Sequence, residues 1–457
     1  MSDVAEQVQT GALWRTCVDL GTSASKVSVC ARAQDGRGPF LHPLKIGSFT
    51  GEPNPYLVQS AMLFDRDRIH FGIRATEAAS HEECISELLQ SFKMFLAARD
   101  VEESLSLKLK RTTDPSNLFT QRDALTLYTA YVLSLTERAI KREPRLSNDA
   151  HISQRRYAYP IWGPDTKANA VVARLFDEAQ AIVTELGGDL VEADSLAFEV
   201  ARASLDRARS KPGFGRVEAG VFEAQAASEC HFAFATEIPE FVLVFDMGAG
   251  TTDFASFRRA GDGAARHLEE ILVARRTLAL GCDEIDNVLV AMFIDKTPKA
   301  SPASVKRAFW KRLKVRARQL KETLFREGVC HATSQGKKMT IRLNDLYRDK
   351  GFRDFKASLR GAYQDCLSRV LREALAAGAQ RVDVIPAGGG AMLPFVQNML
   401  SSPGATLRGQ MRLRVHPNIP GWIENGDDAD RLGPIFPQLA VSLGGAIAPL
   451  RPSEAHF

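Results

Sequence analysis

Reading from the N-terminus, the first stretch whose pattern predicts an ordered element is Trp14–Leu20, a strand. A Gly-Thr-Ser turn follows, and the six residues from Lys26 alternate like a returning strand. The same grammar recurs about 227 positions on: the apolar run from Phe241 to Asp246, a Gly-Ala-Gly-Thr-Thr turn, and a strand from Asp253. Two copies of strand, Asp-x-Gly turn and strand predict two related lobes. Between the copies, residues 77–98, 121–141, 166–185 and 193–208 carry apolar positions at helical spacing, interrupted by extended stretches near 56–64 and 156–162. Residues 209–216 read as a loop. Beyond the second copy the pattern predicts helices at about 303–326 and 352–377 and a strand over Val382–Pro386. A glycine turn leading into a helix at 388–401, a Gly/Pro/Asp-rich surface loop at 420–434 and a small-residue helix at 438–449 complete the reading.

Composition narrows the classes. The 457 residues are 45% hydrophobic and 25% charged, as in a globular protein long enough for two or three domains or one large two-lobed body. A net charge of +4 is small for that length and does not argue for nucleic acid or membrane. No apolar run reaches the roughly eighteen residues a membrane helix needs, and the acidic, core-less N-terminus is not a secretory signal. Seven scattered cysteines, never spaced Cys-x-x-Cys, read as reduced thiols and argue against a zinc or iron–sulfur site. The expected compartment is the cytoplasm.

Three loops carry candidate chemistry. In the first, Asp19, Gly21, Thr22, Ser23 and Lys26 form a strand-delivered carboxylate and a hydroxyl-rich turn, suited to a Mg-phosphate site, although an ordinary polar hairpin has the same look. In the second, Asp246, Gly248, Gly250, Thr251, Thr252 and Asp253 follow an apolar strand. A Rossmann reading fails there, because Asp253 stands at the third glycine position and the chain continues as a strand. A P-loop is also absent from the sequence. In the third, Gly388, Gly389 and Gly390 follow a buried strand and let a flat group approach the backbone.

In this order the loops resemble the phosphate-1, phosphate-2 and adenosine motifs of the actin, heat-shock protein 70 and sugar kinase superfamily, and above all the nucleotide-binding domain of heat-shock protein 70. Further segments look like that family: Pro55–Val58 with Ile69–Gly72, the Ser91-Phe-Lys93 stretch, Glu223-Ala-Gln-Ala-Ala, Gly281 to Asn287, Lys321-Glu322, and Pro437 with Ala440, Val441 and Gly444. The resemblance spans roughly residues 14–450. It implies a two-lobed α/β actin-like ATPase fold, each lobe built on a duplicated ribonuclease H-like mixed sheet with flanking helices. The implied division is lobe I at 12–236 with a small subdomain at about 49–117, and lobe II at 237–435 with a small subdomain at about 283–350. A closing helix at 436–450 would return to lobe I.

By the same resemblance Asp19 and Asp246 would hold hydrated Mg²⁺. Gly21, Thr22, Ser23, Lys26, Gly248, Gly250, Thr251, Thr252, Gly281, Lys321 and Gly388–Gly390 would hold ATP. Lys93 would approach the γ-phosphate, and Glu223 and Asp253 would orient or deprotonate the attacking water. Glu192 is a rival for the Glu223 role but lies far before the second loop. Several departures stand out: Lys26 is more actin-like, Gln225 replaces the usual Pro-Thr chemistry, Phe325 stands where a serine touches adenine, and Cys282 replaces a glycine. An insertion is expected near 187–217, and the sequence leaves no room for the family's peptide-binding domain. The stripe Arg307, Lys311, Lys314, Arg318 and Lys321 could meet nucleic acid, but a solvated helix face is the commoner reading, and nucleic acid is not an expected partner. The reading is therefore a slow Mg-ATP hydrolase that uses lobe closure as a switch on a partner or client protein, with the inserted residues 200–220 as a place for partner capture. The alternatives are an actin-like, self-assembling filament ATPase and a small-molecule kinase.

Overall fold

A hairpin built on the first loop sets the frame of the first lobe. In the computed structural model, β1 (Trp14–Asp19) pairs antiparallel with β2 (Ala24–Ala31), which sets Asp19 directly opposite Lys26. The structure describes residues 14–31, 40–81, 84, 86–98, 100–143, 146, 154–159, 166–193, 195–211, 217–235, 238–260, 267–298, 301–402, 411–424 and 429–447. Strand β3 (Phe40–Pro43) extends the sheet beyond β2, and the short β4 (Val58–Gln59) pairs with the start of β2. Next, β5 (Ala61–Asp65), β6 (Arg68–Phe71) and β7 (Leu89–Gln90) form most of a small second sheet, with helix α1 (Gly72–Ala79) between β6 and β7 in the chain. Helices α2 (Val101–Ser106) and α3 (Gln121–Arg142) follow, the latter started by a reciprocal Thr120/Asp123 capping box and buried along most of its length. The main sheet resumes with β8 (Gln154–Tyr159), parallel to β1, and is covered by α4 (Thr166–Leu186).

After α5 (Asp189–Glu192), β9 (Leu196–Ala197) joins the small sheet beside β6, and α6 (Phe198–Ser210) lies against α4. Strand β10 (Val217–Phe222), parallel to β8, completes the main sheet and runs straight into α7 (Glu223–His231). The expected insertion is therefore integral to the lobe. Phe198, Ala201, Leu205 and Ala208 are buried in its core, Phe198 stacks edge-on against Phe119, and Arg209 pairs with Asp123. Removing residues 200–220 would take out a core helix and most of a sheet strand, so the deletion is no clean test of partner capture.

The second lobe repeats the plan. Strand β11 (Phe241–Met247) pairs antiparallel with β12 (Thr252–Ala260), setting Asp246 opposite Asp253 at the register that Asp19 and Lys26 occupy in the first lobe. Strands β13 (His267–Glu270) and β14 (Arg276–Leu278) add to β12. Helices α8 (Cys282–Asp295) and α9 (Ala303–Glu327) lead to the hairpin of β15 (Val329–Ser334) and β16 (Lys337–Arg342). Gly328, in the left-handed region at φ 76°, ends α9. Then come α10 (Leu343–Arg348), α11 (Lys350–Ala376), β17 (Arg381–Ala387) parallel to β11, α12 (Pro394–Leu400) and β18 (Arg412–Val415) parallel to β17. Two short helices, α13 (Gly421–Glu424) and α14 (Ala429–Leu432), precede α15 (Phe436–Ala446), which returns to pack on α7, β1 and β2. Each main sheet is thus a hairpin with two further strands parallel to its first member, the mixed sheets of an actin-like ATPase fold.

Four expectations need correction. Residues 77–98 are not one helix: α1 ends at Ala79, Leu89–Gln90 is a strand, Ser91 sits in the left-handed region at φ 55°, and Phe92–Ala97 is a 3-10 turn. The helix expected from 193 starts at Phe198, because Leu196–Ala197 pairs with β6. The glycine turn opens a 3-10 turn at Gly389–Met392 before α12 rather than one continuous helix. Residues 420–434 are not simply surface: Ile423 and Leu432 are buried, and Trp422 meets Phe436 edge-on. Residues 160–162, 212–216 and 448–449 of the predicted elements, and the division at 236/237, lie outside the described residues. Among the described residues no helix is long and apolar enough to cross a membrane.

Candidate functional site

The two hairpins aim their turns at each other across a cleft of about 790 Å³. Asp19 comes from the end of β1 and Asp246 from the end of β11. Glu223 is the first residue of α7, so the strand-to-helix junction at Phe222 fixes its carboxylate at the cleft floor. Lys93 rises from the 3-10 turn that Ser91 opens, and the Ser91 hydroxyl donates across to Asp283 of the second lobe at 3.1 Å. The Lys93 ammonium bonds Glu223 and lies 3.6 Å from Asp19 Oδ1, while Lys26 Nζ lies 2.5 Å from Asp19 Oδ2. Asp253 is braced on both oxygens, by the Thr251 hydroxyl at 3.0 Å and the Thr277 hydroxyl at 2.7 Å.

Electrostatics follow from that crowding. Burial works to raise the Asp19 carboxyl, but Lys26 and Lys93 hold it below the usual carboxylate range. Burial, then Glu223 and Asp253, push Asp246 up to about 7 against the weaker pull of Lys93. Burial also pushes Glu223 and Asp253 up, against the opposing pull of Lys93 on Glu223 and of the threonine hydroxyls on Asp253. Lys93 is held charged by Glu223 and Asp19 in spite of its burial. Fully ionised, Asp19, Glu223, Asp246 and Asp253 would outnumber the two ammonium groups by two negative charges, and that crowding adds to burial in raising Glu223 and Asp246.

That excess fits a divalent cation. Among the described residues no three His, Cys, Asp or Glu side chains converge into a metal site of their own. Mg²⁺ suits such an arrangement, since it keeps several waters and takes one or two carboxylates plus phosphate oxygens. The buried Asp19 Oδ1, which accepts no hydrogen bond, and the raised Asp246 are the carboxylates it would relieve.

Most of the sequence-predicted residues line this cleft: Asp19, Gly21, Thr22, Ser23, Lys26, Lys93, Glu223, Asp246, Gly248, Thr251, Asp253, Lys321 and Gly388–Gly390. Three do not. The Thr252 hydroxyl is buried and donates to Leu280 O at 2.8 Å. Gly281 lies under the second loop, where a Cβ would come within 2.6 Å of the Ala249 carbonyl carbon, and the next two amides donate to Gly248 O and Ala249 O. Gly250 abuts Thr22 and Met94 of the other lobe; a Cβ there would meet both at 3.2–3.3 Å. These three brace the loops against each other. Gly388, at φ 75°, allows the third loop to pass Asp246, since any Cβ there would collide with its Oδ1 and come within 2.7 Å of the Met247 carbonyl carbon.

At the opposite end of the cleft Lys321 is tied to Asp286 at 2.9 Å and to Cys282 O at 3.1 Å, beside Glu322, Phe325 and Met392. Glu192 is elsewhere: it pairs with Arg138 at the surface and does not line the cleft. Two groups escaped the sequence reading as members of this site. Thr277 comes from β14, 24 residues after Asp253, with no motif around it. Arg318 was visible only as part of a basic stripe, yet its guanidinium lines the cleft and donates across the lobes to Ser23 O at 3.2 Å. No curated protein matches the chain. The model of the Hsp70 protein family matches residues 221–405, a stretch that holds Glu223, the second loop, α9 and the third glycine loop, so this part of the chain is similar to that family, consistent with an Hsp70-like nucleotide-binding domain on the actin-like fold.

Proposed function

We propose that the chain binds Mg-ATP between its lobes, hydrolyses it slowly, and uses the resulting lobe movement as a switch on a partner protein. One observation carries this reading: the buried Asp19 and the half-buried Glu223, Asp246 and Asp253, drawn from both lobes, line one cleft with Lys26 and Lys93 at the meeting point of two phosphate-type hairpins. Bound Mg²⁺ would supply charge neutralisation to the phosphate oxygens, with Asp19 and Asp246 holding it. The remaining work falls to the chain's own groups. Backbone N–H groups and hydroxyls of Gly21–Ser23 and Gly248–Thr251 bind phosphate oxygens. Lys93 offsets charge on the γ-phosphate and keeps Glu223 in place. Glu223 accepts a proton from the attacking water, aided by Asp253, whose two threonine donors fix its direction. The interlobe bonds Ser91–Asp283 and Arg318–Ser23 couple occupancy of the cleft to the angle between the lobes.

Metal removal tests the site. ATP with Mg²⁺ should raise the thermal midpoint, and excess EDTA should weaken ATP binding by about tenfold or more and stop phosphate release, as a site built around about two surplus negative charges requires. Equal ATP binding with and without Mg²⁺, and no phosphate release in either, would sink the reading.

A further inference from the structure

We propose that the outer half of α9 is a docking surface for single-stranded nucleic acid. The charge of the chain is unevenly placed. Residues 301–350 hold 14 Lys and Arg against 4 Asp and Glu, a net of +10, so the rest of the chain carries −6 within a total of +4. From Ala303 to Lys321 there is no acid at all. Ordinary solvated helix faces mix both signs. Here Arg307 and Lys311, Arg312 and Arg316, and Lys314 and Arg318 are like-charge pairs four residues apart, which weaken a helix rather than support it.

The core does not need this face. Phe309, Leu313, Ala317, Leu320 and Leu324 are buried and already seat α9 on its lobe. Arg307, Lys311 and Lys314 lie on another face at three- and four-residue steps, together with Trp310. Trp310 is 40% exposed, with the Lys314 ammonium 5.7 Å from its ring centroid. An accessible indole within a basic stripe is the pairing that unstacked bases and their phosphates use: the ring stacks a base while the cations take the backbone. A duplex offers no free base face to the ring. An acidic peptide would use the charges and leave Trp310 idle. A membrane surface would need the apolar face of α9, which is buried. The stripe continues inward to Arg318, which lines the cleft, so a strand lying on it would end beside the proposed nucleotide site.

The test is fluorescence anisotropy of a labelled 20-nucleotide, mixed-sequence single-stranded DNA against the full chain, with heparin and the matching duplex as competitors. At 50 mM NaCl the dissociation constant should fall at roughly 1–100 µM. With three cations engaged it should weaken about 20-fold at 200 mM. The reversal Arg307→Glu, Lys311→Glu, Lys314→Glu should abolish binding; the corresponding Gln triple serves if that variant misfolds. Trp310→Ala should weaken single-strand binding about fivefold or more and leave heparin binding unchanged. None of these four residues lines the cleft, so thermal stabilisation by Mg-ATP should persist and report an intact fold. Three results would overturn the proposal: no saturable binding at 50 mM NaCl, binding indifferent to charge reversal, or a Trp310→Ala variant equal to wild type with heparin and duplex competing as well as the single strand.

Discussion

Replacing Lys93 by alanine is expected to cut single-turnover hydrolysis of Mg-ATP by roughly 10²–10⁴-fold, the usual cost of removing one catalytic group. Lys93 is the cation that two carboxylates of the first lobe share: it bonds Glu223, lies 3.6 Å from Asp19 and is held charged by both. Without it, Glu223 and Asp19 face Asp246 with only Lys26 to offset them, and in the proposed mechanism the γ-phosphate would lose a fixed positive charge. ATP affinity should change much less than the rate, because the loops proposed to hold the other phosphates are untouched. Glu223→Gln should behave alike, keeping nucleotide and losing turnover. Phosphate release after mixing with stoichiometric Mg-ATP measures both. A Lys93→Ala rate within a few-fold of wild type would remove this lysine from the machinery.

The second large effect concerns packing. Gly444 on α15 lies against α7, where an added Cβ would fall on the Ala226 carbonyl, 2.5 Å from its carbon and 3.0 Å from Cys230 Cβ. The obstacle is backbone inside a helix, so no side chain can turn away. Gly444→Ala should therefore cost about 3 kcal/mol or more, at the high end for overpacking. Because α7 begins with Glu223, the same displacement moves the proposed base and should lower turnover as well. Gly361→Ala in α11 is the control. Nothing lies within 4 Å of that position, and the change should stabilise by about 0.5–1 kcal/mol. Urea midpoints of the two variants against wild type give the comparison, and equal midpoints would contradict the packing account.

What could be read in advance followed the range of the interactions. The two phosphate-type hairpins were legible because their chemistry is local: a strand delivers an Asp, glycines turn the chain, and the partner position follows seven residues later, as Lys26 or Asp253. Lys93 could be named only through family resemblance. Apolar spacing around it suggests one helix, whereas pairing of Leu89–Gln90 with β5 and the left-handed Ser91 break the segment and raise the lysine into the cleft. Thr277 and Arg318 reach the site from distant segments: no motif surrounds Thr277, and Arg318 reads only as one member of a basic stripe. Thr252 and Gly281 show the converse. Both stand within recognisable motifs, yet they support the second loop from behind, because a loop this tight needs something to rest on. Residues 420–434 have the composition of a surface loop but carry Ile423 and Leu432 into the core, where burial of a few large side chains outweighs the turn-forming residues between them.

In the proposed switch, nucleotide held by both lobes sets the angle between them. Small-angle scattering combined with sedimentation, on the chain alone, with Mg-ADP and with Mg-ATP, tests it most directly. The account predicts a monomer or small oligomer whose radius of gyration falls with Mg-ATP and recovers as the nucleotide is hydrolysed. One radius in all three conditions would contradict it, and so would growth into very large, reversible species with Mg-ATP, the signature of a filament.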